Sequence, residues 1–282
     1  MSRPLRLGDR MLAARMIAIM TLLVVLYVTA LLAAVAFLIH GQHWGMAVLV
    51  AILLVVGGVT MAGQQGGSRR RLLAELRATE VGPAEAPDLH GTLDRLCGLA
   101  GIAKPRLLIA DTDLPNALAI GRELCVTRGL LDRLTTAELE AVLAHELGHL
   151  AHRDGLVLEY AAAPGLVCGR YLRVGIYVLF GQAVYWLSTL LVRMLSRARE
   201  LSADRAGAML TGRPSDLAAA LVKLSAGAPQ IPATDLRAVQ PYQALLCIEM
   251  PGPKPRRLSA HPPLETRLRR LATMSALLGR RG

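Results

Sequence analysis

The sequence is poor in aromatic residues. They make up only 4% of its 282 residues, so the hydrophobic content of 53% comes mainly from Ala, Leu and Val. The mean hydropathy of +0.42 is high for a soluble protein. Because the apolar residues occur in blocks, they indicate membrane segments rather than one unusually apolar core.

Cysteine is also scarce. The four cysteines stand alone, and none forms a CxxC pair: Cys97, Cys125, Cys168 and Cys247. This spacing argues against a disulfide framework and against a zinc ribbon. It is typical of buried thiols in a reducing compartment.

Lysine occurs at only three positions, so the net charge of +11 comes almost entirely from arginine. The sequence has no basic stripe interleaved with aromatic residues and no nucleic-acid-binding module, which argues against a nucleic-acid partner. The arginine clusters at Arg69–Arg71 and Arg193–Arg199 instead flank apolar runs. They predict contact with an anionic membrane surface.

Two uncharged runs lie near the N-terminus, and only a short polar break separates them. Met16–Ile39 has 24 residues and Met46–Ala62 has 17, lengths that predict a transmembrane helical hairpin. The first run is too long for a cleavable signal peptide. Arginines precede the first run and follow the second, so the positive-inside rule places both flanks in the cytoplasm of a multi-pass inner-membrane protein.

The region after the hairpin has the pattern of a soluble domain. Ser68–Glu80 is expected to form a charged helix, and Leu89–Gly101 has the apolar spacing of a helix. Arg106–Ala110, Ala117–Ile120 and Leu124–Thr127 have the pattern of short strands. This part is therefore expected to be mainly helical with a small β-sheet.

Several signals place further helices along the chain. Thr135 and Glu138 match a capping box, which predicts a helix that continues to about Arg153. Arg197–Leu210 is amphipathic, and Leu264–Leu278 reads as a last, basic helix. Between them, residues 226–255 are rich in Pro, Gly and Ala and predict a loop.

The helix predicted from the capping box contains the sequence His145-Glu146-Leu147-Gly148-His149. Two histidines four residues apart lie on one face of a helix and can bind one Zn²⁺. Glu146 is rotated away from that face and is placed to accept a proton from a zinc-activated water and pass it to the leaving amine. The alternative is a helix that carries two solvated histidines.

A catalytic zinc needs a third protein ligand and one open position. No third histidine follows at metzincin spacing, but Glu200 lies on a second predicted helix about fifty residues further on. Asp204 shares its face and could fix the tautomer of a ligand histidine. The alternative for Glu200 is a surface ion pair with Arg197 or Arg199.

These segments together resemble the M48 peptidases, and within them the HtpX-type heat-shock membrane proteases. The resemblance is carried by the HELGH motif, by Arg197–Ala208 and by the apolar N-terminal hairpin. Three further elements are similar to those of the family in the same order: Pro115–Gly121, Thr127–Asp132 and His261–Arg267, which resembles the family's C-terminal HPPxxxR element. The resemblance covers nearly the whole chain.

The resemblance implies a role for each matching residue. It implies His145, His149 and Glu200 as ligands of one Zn²⁺ per chain, Glu146 as general base and Asp204 as the partner of a ligand histidine. It implies that Asn116, Ala117 and Ala119 form an edge strand that holds an extended substrate, and that His261 stabilises the oxyanion. The alternatives are a turn residue for Asn116 and a helix-entry residue for His261; His152 is expected to be a bystander.

The region between the two halves of the motif departs from the family pattern. It is short and carries Arg170 and Arg173 near its middle, where HtpX-type proteins have a second pair of spans. If His149 and Glu200 bind one metal, the chain crosses the membrane an even number of times between them. It then forms either a tight hairpin of two spans or helices that lie in the interface without crossing. The expected domain plan is a basic N-terminus over 1–15, a hairpin over 16–62, catalytic parts over 63–155 and 197–282, and the second membrane segment over 156–196.

The sequence therefore predicts a membrane-anchored zinc metalloendopeptidase with a gluzincin-type site. By resemblance, its substrates are misfolded membrane proteins, and its role is quality control in the stress response. Two alternatives stay open: a catalytically silent zinc-binding scaffold or sensor, which four protein ligands would favour, and a specific processing peptidase. The sequence does not give the oligomeric state or the cleavage preference.

Overall fold

The computed structural model of the protein describes residues 10–40, 73–151, 177–227 and 261–280. Its helices are α1 (Arg10–His40), α2 (Pro87–Ala100), α3 (Arg128–Arg133), α4 (Thr136–Ala151), α5 (Tyr177–Thr211), α6 (Pro214–Gly227) and α7 (Leu264–Gly279). Its strands are β1 (Ala78–Glu80), β2 (Arg106–Ala110), β3 (Ala117–Ile120) and β4 (Glu123–Thr127). The described part is therefore mainly helical with one small sheet, as the sequence predicts.

The four strands form a single sheet in the order β1-β2-β4-β3. β2 and β4 are parallel, while β1 pairs antiparallel with β2 and β3 pairs antiparallel with β4. Gly121 and Arg122 connect β3 to β4, and Gly121 has φ of 61°, a left-handed conformation that glycine adopts without steric cost. Because the strand order ends with β3, this strand lies at the edge of the sheet.

The side chains of the strands alternate between two hydrophobic clusters. Leu124 and Val126 of β4 pack into the main core, which also contains the apolar residues of α2, α4 and α6. Cys125 points to the opposite face, where it joins Leu108 and Leu118 in a smaller cluster. Burial on both faces explains why the middle residues of β2 and β4 are apolar, whereas β1, with the sequence Ala-Thr-Glu, is largely exposed.

Helix α4 lies at the centre of this arrangement. Its residues from Ala141 to Gly148 are all buried, and it contacts β3, α2, α5 and α6. A helix that is buried on all sides must satisfy any polar side chain it carries from within the protein. The polar residues of α4 are therefore held by neighbouring elements.

Helices α1 and α5 pack against each other around Leu23, Leu191 and Leu195. The first uncharged run, Met16–Ile39, lies within α1. Among the helices of the described ranges, none is both long and apolar enough to cross a membrane. The second run, Met46–Ala62, lies outside the described residues, and the N-terminal hairpin stays a prediction.

Most elements agree with the sequence patterns. Strands β2 and β3 have the predicted bounds, β4 begins one residue earlier than predicted, and α2, α4 and α7 form where helices are expected. The helix expected over Ser68–Glu80 is wrong at its end, because Ala78–Glu80 forms strand β1 against β2. Arg77 ends the helical turn with φ of 51°, a backbone conformation that does not continue a right-handed helix.

The sequence patterns do not predict helix α6, which the structure shows over Pro214–Gly227. The predicted helix Arg197–Leu210 is confirmed as the last part of α5, which begins earlier, at Tyr177. Two predicted segments lie partly outside the described residues: the membrane segment 156–196 up to residue 176, with Arg170 and Arg173, and the loop 226–255 from residue 228 onward. The predicted division into domains likewise stays a prediction.

Candidate active site

The N-terminus of α4 is fixed by the capping box that the sequence predicts. The Thr135 backbone N–H and hydroxyl both donate to the Glu138 carboxylate at 2.9 Å, and the Glu138 N–H donates back to the Thr135 hydroxyl at 3.4 Å. Lys223 of α6 also donates to the Glu138 carboxylate, at 2.7 Å. These bonds satisfy orphan N–H groups and tie α4 to α6.

Two glycines bring α4 and α5 unusually close together. A Cβ atom on Gly148 would lie 3.1 Å from the Cβ of Ala206, and one on Gly207 would lie 2.9 Å from the backbone nitrogen of His145. Any larger side chain at Gly207 would push the helices apart. The close approach allows side chains of the two helices to contact each other.

His145 and His149 of α4 meet Glu200 of α5 where the helices approach. The Nε2 atoms of the two histidines are 3.2 Å apart. Glu200 Oε1 lies 3.4 Å from His149 Nε2, and Glu200 Oε2 lies 3.8 Å from His145 Nε2. This group of two imidazoles and one carboxylate could hold a metal ion.

The spacing of the three donors can be compared with that of a tetrahedral zinc site. With metal–ligand bonds of about 2.0–2.1 Å, neighbouring ligand atoms of a tetrahedron are about 3.4 Å apart. The two histidine nitrogens are 3.2 Å apart, and Glu200 Oε1 lies 3.4 Å from His149 Nε2, both close to this value. The 3.8 Å distance to His145 Nε2 is measured from the other carboxylate oxygen, Oε2. Within the described residues, these three side chains therefore fit a metal ion bound by two imidazoles and one carboxylate oxygen.

Glu200 is buried, with 3% of its surface exposed, so the alternative of a solvent-exposed ion pair does not apply. Burial alone would raise the pKa of Glu200, but His261 and His149 hold that pKa well below its usual range. The carboxylate is therefore anionic at neutral pH, as a metal ligand must be.

Glu146, which lies between the two histidines on α4, is also a buried carboxylate. Burial raises its pKa, and the neighbouring His145 and His149 and a hydrogen bond from the Ala119 backbone N–H only partly oppose this effect. Its Oε1 atom has no hydrogen-bond partner among the described residues. A buried carboxylate with a raised pKa and a free acceptor atom has the properties of a general base.

Asp204 lies one turn after Glu200 and contacts the opposite side of His145. Its Oδ1 atom is 3.1 Å from His145 Nδ1, which leaves Nε2 to face the other donors. Although burial raises the pKa of Asp204, Arg267 and His145 lower it by more. Asp204 therefore lies next to His145 as expected, and its role in orienting a metal ligand stays a prediction.

His261 also belongs to this cluster, although it is distant in sequence. It is buried, and its Nδ1 atom lies 3.2 Å from Glu200 Oε2. The structure therefore brings together six of the predicted site residues: His145, Glu146, His149, Glu200, Asp204 and His261.

The predicted substrate-binding residues begin the edge strand β3. The Asn116 side-chain oxygen accepts a hydrogen bond from the Ala117 N–H at 2.9 Å, and the Asn116 N–H donates to the Thr127 hydroxyl at 2.9 Å. Ala119 donates its N–H to Glu146, which fixes the strand beside α4. A role of these residues in substrate binding stays a prediction, and His152 lies outside the described residues.

Arg267 is the site residue to which the sequence analysis assigns no role. It is buried beside Asp204 and Glu200. Residue type alone does not distinguish Arg267, because the same helix also carries the exposed residues Arg269 and Arg270. Two signals are available: Arg267 is the last residue of the segment His261–Arg267 that resembles a family element, and it shares one face of α7 with Leu264 and Leu271 at i, i+3 and i+7.

A helix-borne pair of histidines with a glutamate from a second helix is a donor set of metal-dependent peptidases. Residues 83–275 match the family described as Peptidase family M48. The chain is 42% identical to "Protease HtpX homolog 1" of Streptomyces coelicolor, covering 96% of this chain and 95% of the relative. It is 40% identical to "Protease HtpX homolog" of Moorella thermoacetica, with 93% of each covered, and 38% identical to "Protease HtpX homolog 2" of Methanosarcina mazei, with 88% of this chain and 93% of the relative covered.

The chain therefore belongs to peptidase family M48, a family of metallopeptidases, and is similar over most of its length to HtpX proteases. The family resemblance inferred from the motifs is confirmed. Membership also implies that polypeptides are its substrates.

Proposed function

We propose that the protein is a membrane-anchored zinc endopeptidase of the HtpX type that degrades misfolded membrane proteins. The observation that carries the proposal is the buried cluster of His145, His149 and Glu200, whose spacing suits one zinc ion with one open position. Among the described residues this group has three donors rather than four, which favours an enzyme over the alternative of a silent scaffold or sensor.

His145, His149 and Glu200 would hold the metal. Zinc, when bound, supplies a Lewis acid that polarises the scissile carbonyl and lowers the pKa of a bound water. Glu146 accepts the proton of the attacking water and later donates it to the leaving amine, and its raised pKa suits both steps. Asp204 Oδ1 lies 3.1 Å from His145 Nδ1 and would favour the tautomer that leaves Nε2 free to bind the metal.

His261 lies near Glu200 and is proposed to donate a hydrogen bond to the oxyanion of the tetrahedral intermediate. Asn116, Ala117 and Ala119 are proposed to hold an extended substrate at the edge of the sheet. The position of β3 beside α4 supports this proposal, because a strand added there would run past Glu146.

The membrane part of the proposal rests on the apolar N-terminal runs and on α1 and α5. These two helices carry most of the exposed large apolar side chains of the described residues, including Ile17, Leu32, Trp186 and Leu190. Extended apolar surface of this kind is typical of contact with lipid or with another apolar partner. We further propose that the catalytic part faces the cytoplasm, as the positive-inside rule predicts.

The test of the catalytic assignment is the substitution Glu146→Gln. The variant keeps the shape of the side chain but removes the proton acceptor, so it should bind zinc like the wild type and lose at least 100-fold in cleavage rate. Cleavage of a model membrane protein by detergent-solubilised protein, together with zinc content by mass spectrometry, measures both. Undiminished cleavage by the zinc-loaded variant would contradict the assignment.

A further inference from the structure

Arg267 is a buried cation on the C-terminal helix α7, with 4% of its surface exposed. Its Nε donates to Asp204 Oδ2 at 2.9 Å, and its Nη2 donates to Asp204 Oδ1 at 2.6 Å. This two-point contact fixes both the position and the plane of the carboxylate, which a single bond would leave free to turn.

The same guanidinium also approaches the metal-binding carboxylate. Arg267 Nη1 lies 3.7 Å from Glu200 Oε2, so one cation serves two buried anions on successive turns of α5. Glu200 and Asp204 are both buried and lie four residues apart on α5, and buried carboxylates require a nearby cation or hydrogen-bond donors. Arg267 contacts Asp204 most closely, and its positive charge compensates that buried carboxylate.

Asp204 also contacts His145, a proposed metal ligand. Its Oδ1 atom contacts Arg267 Nη2 at 2.6 Å and His145 Nδ1 at 3.1 Å. The carboxylate can turn away from His145 only by breaking its contacts with Arg267. The three side chains thus form a line that runs from α7 through α5 to α4.

We propose that Arg267 is a positioning residue of the metal site, which fixes Asp204 and through it the His145 ring. The inference rests on the proposed function only in that His145, His149 and Glu200 bind a divalent metal. It assigns to α7 the completion of a site whose ligands lie on α4 and α5, because α7 packs on both α5 and α6.

The direct test is the zinc affinity of Arg267→Met in the full-length, detergent-solubilised protein, measured by competition with a chromogenic chelator. Contacts of this kind typically change metal affinity by 10–100-fold, and a loss in that range is expected. Arg269→Met is the matched control, since Arg269 lies on the same helix with 73% of its side chain exposed; it should bind zinc like the wild type.

Two further variants separate positioning from general stability. Arg267→Lys keeps the charge but not the two-point contact, so its affinity should lie between those of the wild type and Arg267→Met. In Asp204→Asn the path to His145 is already broken, so adding Arg267→Met should lower the affinity little further. The absorption spectrum of bound Co²⁺ should change in Arg267→Met, because it reports ligand geometry.

The proposal is overturned if Arg267→Met or Arg267→Lys binds zinc with wild-type affinity and an unchanged Co²⁺ spectrum. It is also overturned if the losses in the double variant multiply, since Arg267 would then act independently of Asp204. A wild-type protein that binds zinc but cleaves no polypeptide would refute the proposed function while leaving this inference intact.

Discussion

At the scale of single residues, the site depends on how buried carboxylates are compensated. Glu200 is held anionic by His261 and His149, Asp204 by Arg267 and His145, and Glu138 by Lys223. Glu146 is the exception, since its pKa is raised rather than lowered. The four carboxylates differ in their partners more than in their burial, and their proposed roles follow from those partners.

Glu138 offers a prediction on acid stability. Burial raises the pKa of Glu138, but the contacts with Lys223 and Thr135 lower that pKa by a larger amount. The pKa of Glu138 therefore lies below its ordinary value of 4.5. The stabilisation is therefore complete above about pH 4.5 and is lost as the pH falls through the lowered pKa. Glu138→Gln should lower thermal stability at neutral pH and make it less sensitive to acid below pH 4.5.

Thermal unfolding in detergent over a range of pH measures this effect. Glu265→Gln is the control, because Glu265 is exposed on α7 with 84% of its side chain accessible, and it should change neither the stability nor its pH dependence. The same acid dependence in Glu138→Gln as in the wild type would show that the contact with Lys223 contributes no stability.

At the scale of elements, the site depends on the close approach of α4 and α5. Gly207→Ala would place a methyl group 2.9 Å from the His145 backbone nitrogen, a contact that requires the helices to move apart. The variant should unfold at a lower temperature and bind zinc more weakly, although alanine favours a helix by about 1 kcal/mol. Thermal unfolding and chelator competition measure the two effects.

Gly91→Ala in α2 is the matched substitution, because nothing lies within 4 Å of its added methyl group. It should raise stability by up to about 1 kcal/mol. If both variants gained stability, the close approach at Gly207 would not matter.

The elements also show which parts of the fold the sequence could predict. The capping box and the HExxH spacing are local signals, so α4 and the pairing of its histidines follow from the sequence directly. The end of the predicted helix at Ser68–Glu80 is wrong because β1 exists only through its pairing with β2. Arg267 has no predicted role for a related reason: its burial depends on the docking of α7 against α5 and α6.

At the scale of the whole molecule, the proposal connects the site to a bilayer. Helix α5 runs unbroken from Tyr177 to Thr211, so the exposed apolar side chains near Trp186 and the proposed ligand Glu200 share one helix. If the apolar part contacts lipid, the metal site lies close to the membrane surface. Such a site would meet membrane proteins more readily than soluble ones.

Extraction of membranes tests this arrangement. The full-length protein should remain in the membrane pellet after washing with alkaline carbonate, because apolar helices leave a bilayer only with detergent. A soluble protein of the same cells serves as the control for release. Recovery of the protein in the carbonate supernatant would contradict membrane anchoring and leave the peptidase assignment untouched.

The central claim is that His145, His149 and Glu200 bind one zinc ion and leave its fourth position open. A zinc-bound crystal structure with a peptide-like inhibitor, with the metal located by anomalous scattering, tests it most directly. We predict these three ligands at about 2.0–2.2 Å and the inhibitor in the fourth position. A fourth protein ligand that closes the site, or a zinc ion bound elsewhere, would contradict the claim.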